Sequence, residues 1–127
     1  MKYLSDYMEQ PQTKLFEETG TFFAFSNEQF DEQAKKGVKY VGMGGGMVTP
    51  EEHVKDVINR MYDIYKTCIE IDIKENGIDK IILRELQNHE CFYTGDITDC
   101  IEKLKDYPSI TETKILTIYR KNYAKYA

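Results

Sequence analysis

A chain of 127 residues has the size of one domain, and a single compact domain over residues 1–127 is expected. Hydrophobic residues make up 41% and charged residues 31%, which excludes a disordered chain. The net charge of −5 argues against a plain DNA reader. Mean hydropathy is −0.58, and no apolar run approaches the roughly 18 residues of a membrane span, so no membrane partner is expected. A domain this long buries enough surface to fold without a metal or disulfide staple, and no cofactor is expected. Cys68, Cys91 and Cys100 form no C-x-x-C pair. With an odd number of cysteines and no apolar leader in residues 1–8, reduced thiols and a cytoplasmic location are expected.

In chain order, residues 3–10 have room for one or two helical turns. Pro11 suits a first helical position, Lys14–Glu18 continues as helix, and Gly20 suits a C-cap. Thr21–Phe25 is aromatic and β-prone and reads as a short buried strand. Ser26 and Gln29 predict a capping box, with Phe25 and Phe30 as its hydrophobic staple and Gly37 as the helix stop. Val38–Val41 reads as a second strand. After the glycine run, Thr49 reads as an N-cap, Pro50 as the first helical residue, and Glu51 and Glu52 as the first turn.

The next segment carries Val54, Val57, Ile58, Met61, Ile64, Tyr65 and Cys68 at helical spacing. Its end supports two patterns. Ile69, Ile71 and Ile73 alternate with charged residues like a strand, whereas Tyr62, Tyr65, Ile69 and Ile73 form a second helical stripe. One long helix, apolar on two sides and ending at Asn76-Gly77, is favoured. A further helix carries Ile78, Ile81, Ile82, Leu86 and His89 and ends near Phe92. Asp96 caps a short helix that Pro108 ends. Ser109 and Glu112 predict a capping box for a last helix, with Leu116, Tyr119, Tyr123 and Tyr126 on one face. The expected fold is α+β and predominantly α-helical, with helices packed around a small two-stranded β element.

The charge is uneven. Residues 109–127 carry Lys114, Arg120, Lys121 and Lys125 against Glu112, a net +3, which leaves −8 for the rest. A basic last turn suits the negative end of a helix. Tyr119, Tyr123 and Tyr126 interleave with those cations, which suits single-stranded RNA or a protein interface, so Tyr119, Arg120 and Tyr123 are candidate binding residues. If the chain touches nucleic acid directly, this helix is where it does so.

The run Gly42-Met43-Gly44-Gly45-Gly46-Met47 follows a strand, as a dinucleotide loop does. It lacks the third glycine of that fingerprint and the Gly-Lys-Ser/Thr of a phosphate loop, and the Glu51-Glu52 pair beyond it would repel a phosphate. It fits a tight turn or hairpin tip. Alternatively, Met43 and Met47 offer an adaptable protein-contact surface. His89-Glu90-Cys91, with Glu85 one turn earlier, lacks the third and fourth ligands of a zinc site. Cys91 is too close in sequence to His89 to share its helical face, so no catalytic pair and no metal site are assigned. The carboxylate pairs Asp31/Glu32, Glu51/Glu52, Glu70/Asp72 and Asp96/Asp99 read as caps and solvated surface.

Two stretches carry a family likeness: LFEETGTFFAFSNEQF at residues 15–30 and RELQNHECFYTGDITD at residues 84–99, joined by GMGGGMVTP. They resemble an uncharacterised family of small bacteriophage and prophage proteins over roughly residues 4–120. The resemblance implies a viral or mobile-element origin and a life in the cytoplasm of an infected bacterium. In the second stretch Asn88, His89, Glu90, Tyr93 and Asp96 crowd a helix–loop–helix corner, where they either serve their own backbone or bind a partner. The function expected from this combination is inhibition of a host defence protein by protein–protein contact. The target expected is an RNA-guided CRISPR nuclease with its guide RNA, whose basic groove an acidic body complements. The alternatives are a sponge for a nucleotide defence signal, clamped by arginines such as Arg84 and Arg120, and a phage housekeeping adaptor.

Overall fold

The computed structural model describes residues 1–126, which form seven α-helices, one 3-10 turn and a three-stranded antiparallel sheet. The fold is α+β and predominantly helical, and no helix among the described residues is long and apolar enough to cross a membrane. The chain forms two compact units, residues 2–68 and the stretch from Ile69 onward with Met1.

The N-terminal unit begins with α1 (Leu4–Thr19), one helix where two short segments were expected, because Pro11 lies inside it. Proline has no N–H to give to the carbonyl one turn back, Tyr7 O. The Cys68 thiol reaches that oxygen at 3.5 Å, so the helix survives its proline with a side chain standing in for the lost donor. Gly20 ends α1 at φ +75, as a left-handed C-cap.

The strands are β1 (Phe22–Phe23), β2 (Tyr40–Gly44) and β3 (Met47–Pro50), in the order β1-β3-β2. The expected two-stranded element is thus corrected to three. Gly45 and Gly46, at φ +60 and +82, close a two-residue hairpin that folds residues 47–50 back onto β2. Thr49 and Pro50 are therefore the end of a strand and not a helix start. Thr49 is fully buried, and Glu51–His53 forms a 3-10 turn. Met43 is the extra residue of a bulge between Gly42 and Gly44, which turns it inward.

The helix α2 (Asn27–Gln33) stops four residues before Gly37, at Ala34. Its Ser26 Oγ accepts the Gln29 N–H as expected, but Gln29 Oε1 returns to the N–H of Phe25, one residue before the cap. No staple forms: Phe25 is 75% exposed, while Phe30 packs against Phe22 and Tyr40. Nor is β1 buried, since Phe23 is 44% exposed. The core of this unit is Leu15, Met47 and Val57, with Phe16, Met43, Met61 and Ile64 around them.

The helix α3 (Val54–Asn76) is continuous, with Gly77 taking the positive φ that ends it. Helical periodicity wins over the alternating isoleucines because Cys68, Ile69 and Asp72 are the buried positions. Of its second stripe, Ile69 is buried, Tyr65 and Ile73 are half-buried and Tyr62 is exposed, while Ile58 of the first stripe is 53% exposed.

The C-terminal unit continues through α4 (Ile78–Asn88), α5 (Cys91–Thr94), α6 (Thr98–Leu104) and α7 (Glu112–Tyr126). It buries Ile81, Ile82, Leu86, Leu104 and Ile115. The second helix ends before Phe92 because Glu90 adopts φ +55 and starts α5 afresh. Ser109 also adopts a positive φ, +70, so the expected capping box is corrected: Thr111 Oγ1 accepts the Lys114 N–H and caps α7.

Candidate functional site

The helix corner named from the sequence is real, but its residues do not converge. His89 is the C-cap of α4. Its Nε2 lies 3.8 Å from Glu85 Oε2, and neither atom has a hydrogen-bond partner among the described residues. Glu90 and Asp96 are exposed, and Tyr93 is 89% exposed. Asp96 Oδ1 accepts both the N–H and the hydroxyl of Thr98, which holds its carboxyl below the usual range. These bonds close a local turn onto Thr98, the first residue of α6, whose N-cap is Ile97, so the expected Asp96 cap is corrected by one residue.

On α7 the buried residues are Ile115 and Ile118, and the tyrosines fold onto their own unit. Tyr119 stacks on Phe92 at 5.2 Å, Tyr126 lies 5.4 Å from the same ring, and Tyr123 leans on Tyr119 at 5.7 Å. One face of Tyr119 is thus taken, which corrects the picture of a free stacking ladder beside the exposed Arg120. Met47 is likewise a core side chain, only 8% exposed, and Met43 is half-buried against that core.

A buried charge cluster lies in the C-terminal unit. Arg84 binds Asp72 bidentately, Nη1 to Oδ1 at 2.8 Å and Nη2 to Oδ2 at 2.9 Å. Asn76 Nδ2 and the Tyr107 hydroxyl donate to the same carboxylate at 2.7 and 2.5 Å, so its oxygens accept four hydrogen bonds. Burial alone would raise Asp72, but these donors and the Arg84 charge outweigh it and hold the carboxyl below the ordinary range. Burial, with the hydrogen bond to Asp72, pushes Tyr107 well above the ordinary phenol value. Arg84 Nε also reaches Glu85 Oε1 at 3.1 Å. Asp72 is fully buried, which corrects the expectation of solvated surface, and Arg84, a candidate phosphate clamp, is consumed inside.

A cleft of about 570 Å³ opens on the N-terminal unit beside the last turn of α1. Phe16, Phe22 and Tyr40 supply aromatic surface to it, and Phe22 and Tyr40 meet edge to face at 5.4 Å. Glu17, Glu18 and Glu52 stand at its rim. Glu18 is bound by Arg60 at 2.5 Å, and that hydrogen bond holds its carboxyl below the usual value. Glu17 has no ion-pair partner among the described residues, and Glu52 lies 3.4 Å from His53 Nε2. Thr19 and Thr21 form the inner wall, nearly buried and joined to Thr49 by hydroxyl contacts of 2.8 and 3.2 Å. Beside the cleft, Phe23 and Phe25 stand in solvent on a segment whose backbone is tied down. Gln33 Nε2 donates to Phe23 O, Ala24 N–H to Gly46 O, and Phe25 N–H to Gln29. The Phe25 ring lies over Gly46, where a Cβ would meet its edge unless the ring moved aside.

The profile of one protein family matches residues 4–125. The chain belongs to the DUF7659 family, a family of unknown function. No curated protein and no solved structure matches it. In this DUF7659 member no group of three His, Cys, Asp or Glu among the described residues is placed to hold a metal ion. The cleft lay outside the sequence-predicted site residues. Its one legible signal was a mismatch: Glu17 and Glu18 stand in the last turn of α1, where the helix dipole favours cations, and no basic residue offsets them there.

The three cysteines are buried and unpaired. Burial raises the Cys68 and Cys91 thiols and pushes Cys100 up to about 12, with Cys91 and Glu85 beside it adding to the shift. A chromogenic disulfide reagent at about pH 8, near the ordinary thiol pKa, should therefore leave the folded protein unlabelled and label all three cysteines in denaturant. Rapid labelling of the native protein would contradict this burial.

Proposed function

We propose that the protein acts by contact with another protein, through the surface formed by Phe23, Phe25 and the neighbouring acidic cleft. The observation that carries this reading is Phe25, 75% exposed on a backbone held by its own hydrogen bonds. Exposed, pre-ordered aromatic rings are the side chains that dominate binding energy at interfaces, because little freedom is lost when they dock. Residues 2–68 carry eleven acidic against eight basic side chains, which favours a basic partner. The likeness to phage and prophage proteins takes the reading one step further, to inhibition of a host defence nuclease whose nucleic-acid groove is basic, in the manner of an anti-CRISPR protein. The nucleotide-sponge alternative loses Arg84, which is consumed internally. The test is DNA cleavage by purified, guide-loaded nucleases from bacterial hosts, with and without an equimolar amount of the protein. The reading predicts loss of cleavage that Phe25→Ala restores. Unimpeded cleavage across such a panel removes the nuclease target.

A further inference from the structure

The chemistry of the cleft names what it takes from a partner. The direction of its hydroxyl chain is fixed by proton count. Thr19 Oγ1 donates to Leu15 O at 2.8 Å, and a hydroxyl has one proton. The contact between Thr19 and Thr21 is therefore donated by Thr21, and the next by Thr49. Thr19 and Thr21, which line the cleft, have only lone pairs left to offer. The carboxylates of Glu17 and Glu52 are acceptors as well, and the negative end of the α1 dipole points the same way. Phe22 and Tyr40 add negative ring faces. Of the donors at the rim, the Gln33 amide is already spent on Phe23 O and Gln29 O. Lys35, His53 and the Tyr40 hydroxyl, which accepts the Lys35 N–H and keeps its own proton, remain. Acceptors, aromatic faces and a helix C-terminus together suit an organic cation.

We propose that this cleft binds a guanidinium or ammonium group, and that its source is an arginine or lysine side chain on the partner protein. The proposal rests on the protein-binding reading and gives its contact surface a chemical specificity. The cation enters beside the Phe22 and Tyr40 rings and exchanges hydrogen bonds with Glu17 and Glu52, while Phe23 and Phe25 cover neighbouring surface.

The test uses the full-length, isotope-labelled protein alone, titrated with a blocked Gly-Arg-Gly peptide and, separately, with a blocked Gly-Gln-Gly peptide and with spermidine. Amide shifts are followed by NMR. The arginine peptide should give saturable shifts confined to residues 16–22, 40 and 50–53, and the glutamine peptide none. The double variant Glu17→Gln/Glu52→Gln changes only exposed side chains, and its spectrum reports its own folding. Its affinity for the arginine peptide should fall about tenfold or more, as expected for losing charge-assisted bonds. Absence of shifts with the arginine peptide, or equal shifts in the double variant, overturns the proposal. Spermidine binding more tightly than the peptide overturns the assignment to a protein side chain. Failure here leaves the nuclease result unaffected, because the titration contains no partner and the cleavage assay turns on Phe25.

Discussion

Asp72→Ala is expected to cost about 3–5 kcal/mol, because it leaves the Arg84 guanidinium buried without its bidentate partner. That is a large share of the roughly 5–15 kcal/mol that holds a typical domain. Urea unfolding followed by circular dichroism measures it. Adding Arg84→Met to Asp72→Leu should not recover the loss, because it takes from the buried Glu85 carboxylate the Arg84 Nε hydrogen bond that holds it. A loss below about 1 kcal/mol in the single variant would mean that water reaches Arg84. The pH dependence has a definite sign. The Asp72 carboxyl is held below its unfolded value of 3.8, so its stabilisation is complete above that value. It is lost as pH falls from there through the lower folded value, and the gap between the native protein and Asp72→Asn should narrow across that acid range.

Phe25→Ala is the second large effect, and it falls on binding instead of stability. The ring is mostly in solvent, so its removal should leave the thermal midpoint nearly unchanged. Affinity for the partner should drop by about 30-fold or more, the ~2 kcal/mol of a hot-spot aromatic. Calorimetric titration of the purified partner with both forms reads the two quantities separately. A variant that unfolds would place Phe25 in the fold, through its packing on Gly46, and not in the interface.

The helices were largely legible because their signals are local and repeat: the stripe from Val57 to Cys68, Gly20 and Gly77 at helix ends, Ser26 as a cap. What was illegible depends on partners far along the chain. Pro11 looked like a helix start because the thiol that replaces its missing hydrogen bond comes from Cys68. Thr49-Pro50 has the look of a helix N-terminus, but the Gly45-Gly46 turn captures it for a strand. Asp72 alternates with isoleucines in a way that suggests surface, and only Arg84 and Tyr107 make its burial tolerable. Of the site, the corner residues His89 to Asp96 were visible as a corner. The cleft was not, because Phe16, Tyr40 and Glu52 meet only in the fold.

The most direct measurement is side-by-side capture of tagged native protein and Phe25→Ala from bacterial cells expressing defence systems, with protein and RNA in each eluate identified. The account predicts a stoichiometric nuclease complex on the native protein that is lost from the variant. Equal recovery of that complex by both forms would contradict the assignment of Phe25 to the interface, and native protein that elutes with no macromolecule bound would contradict the binding function itself.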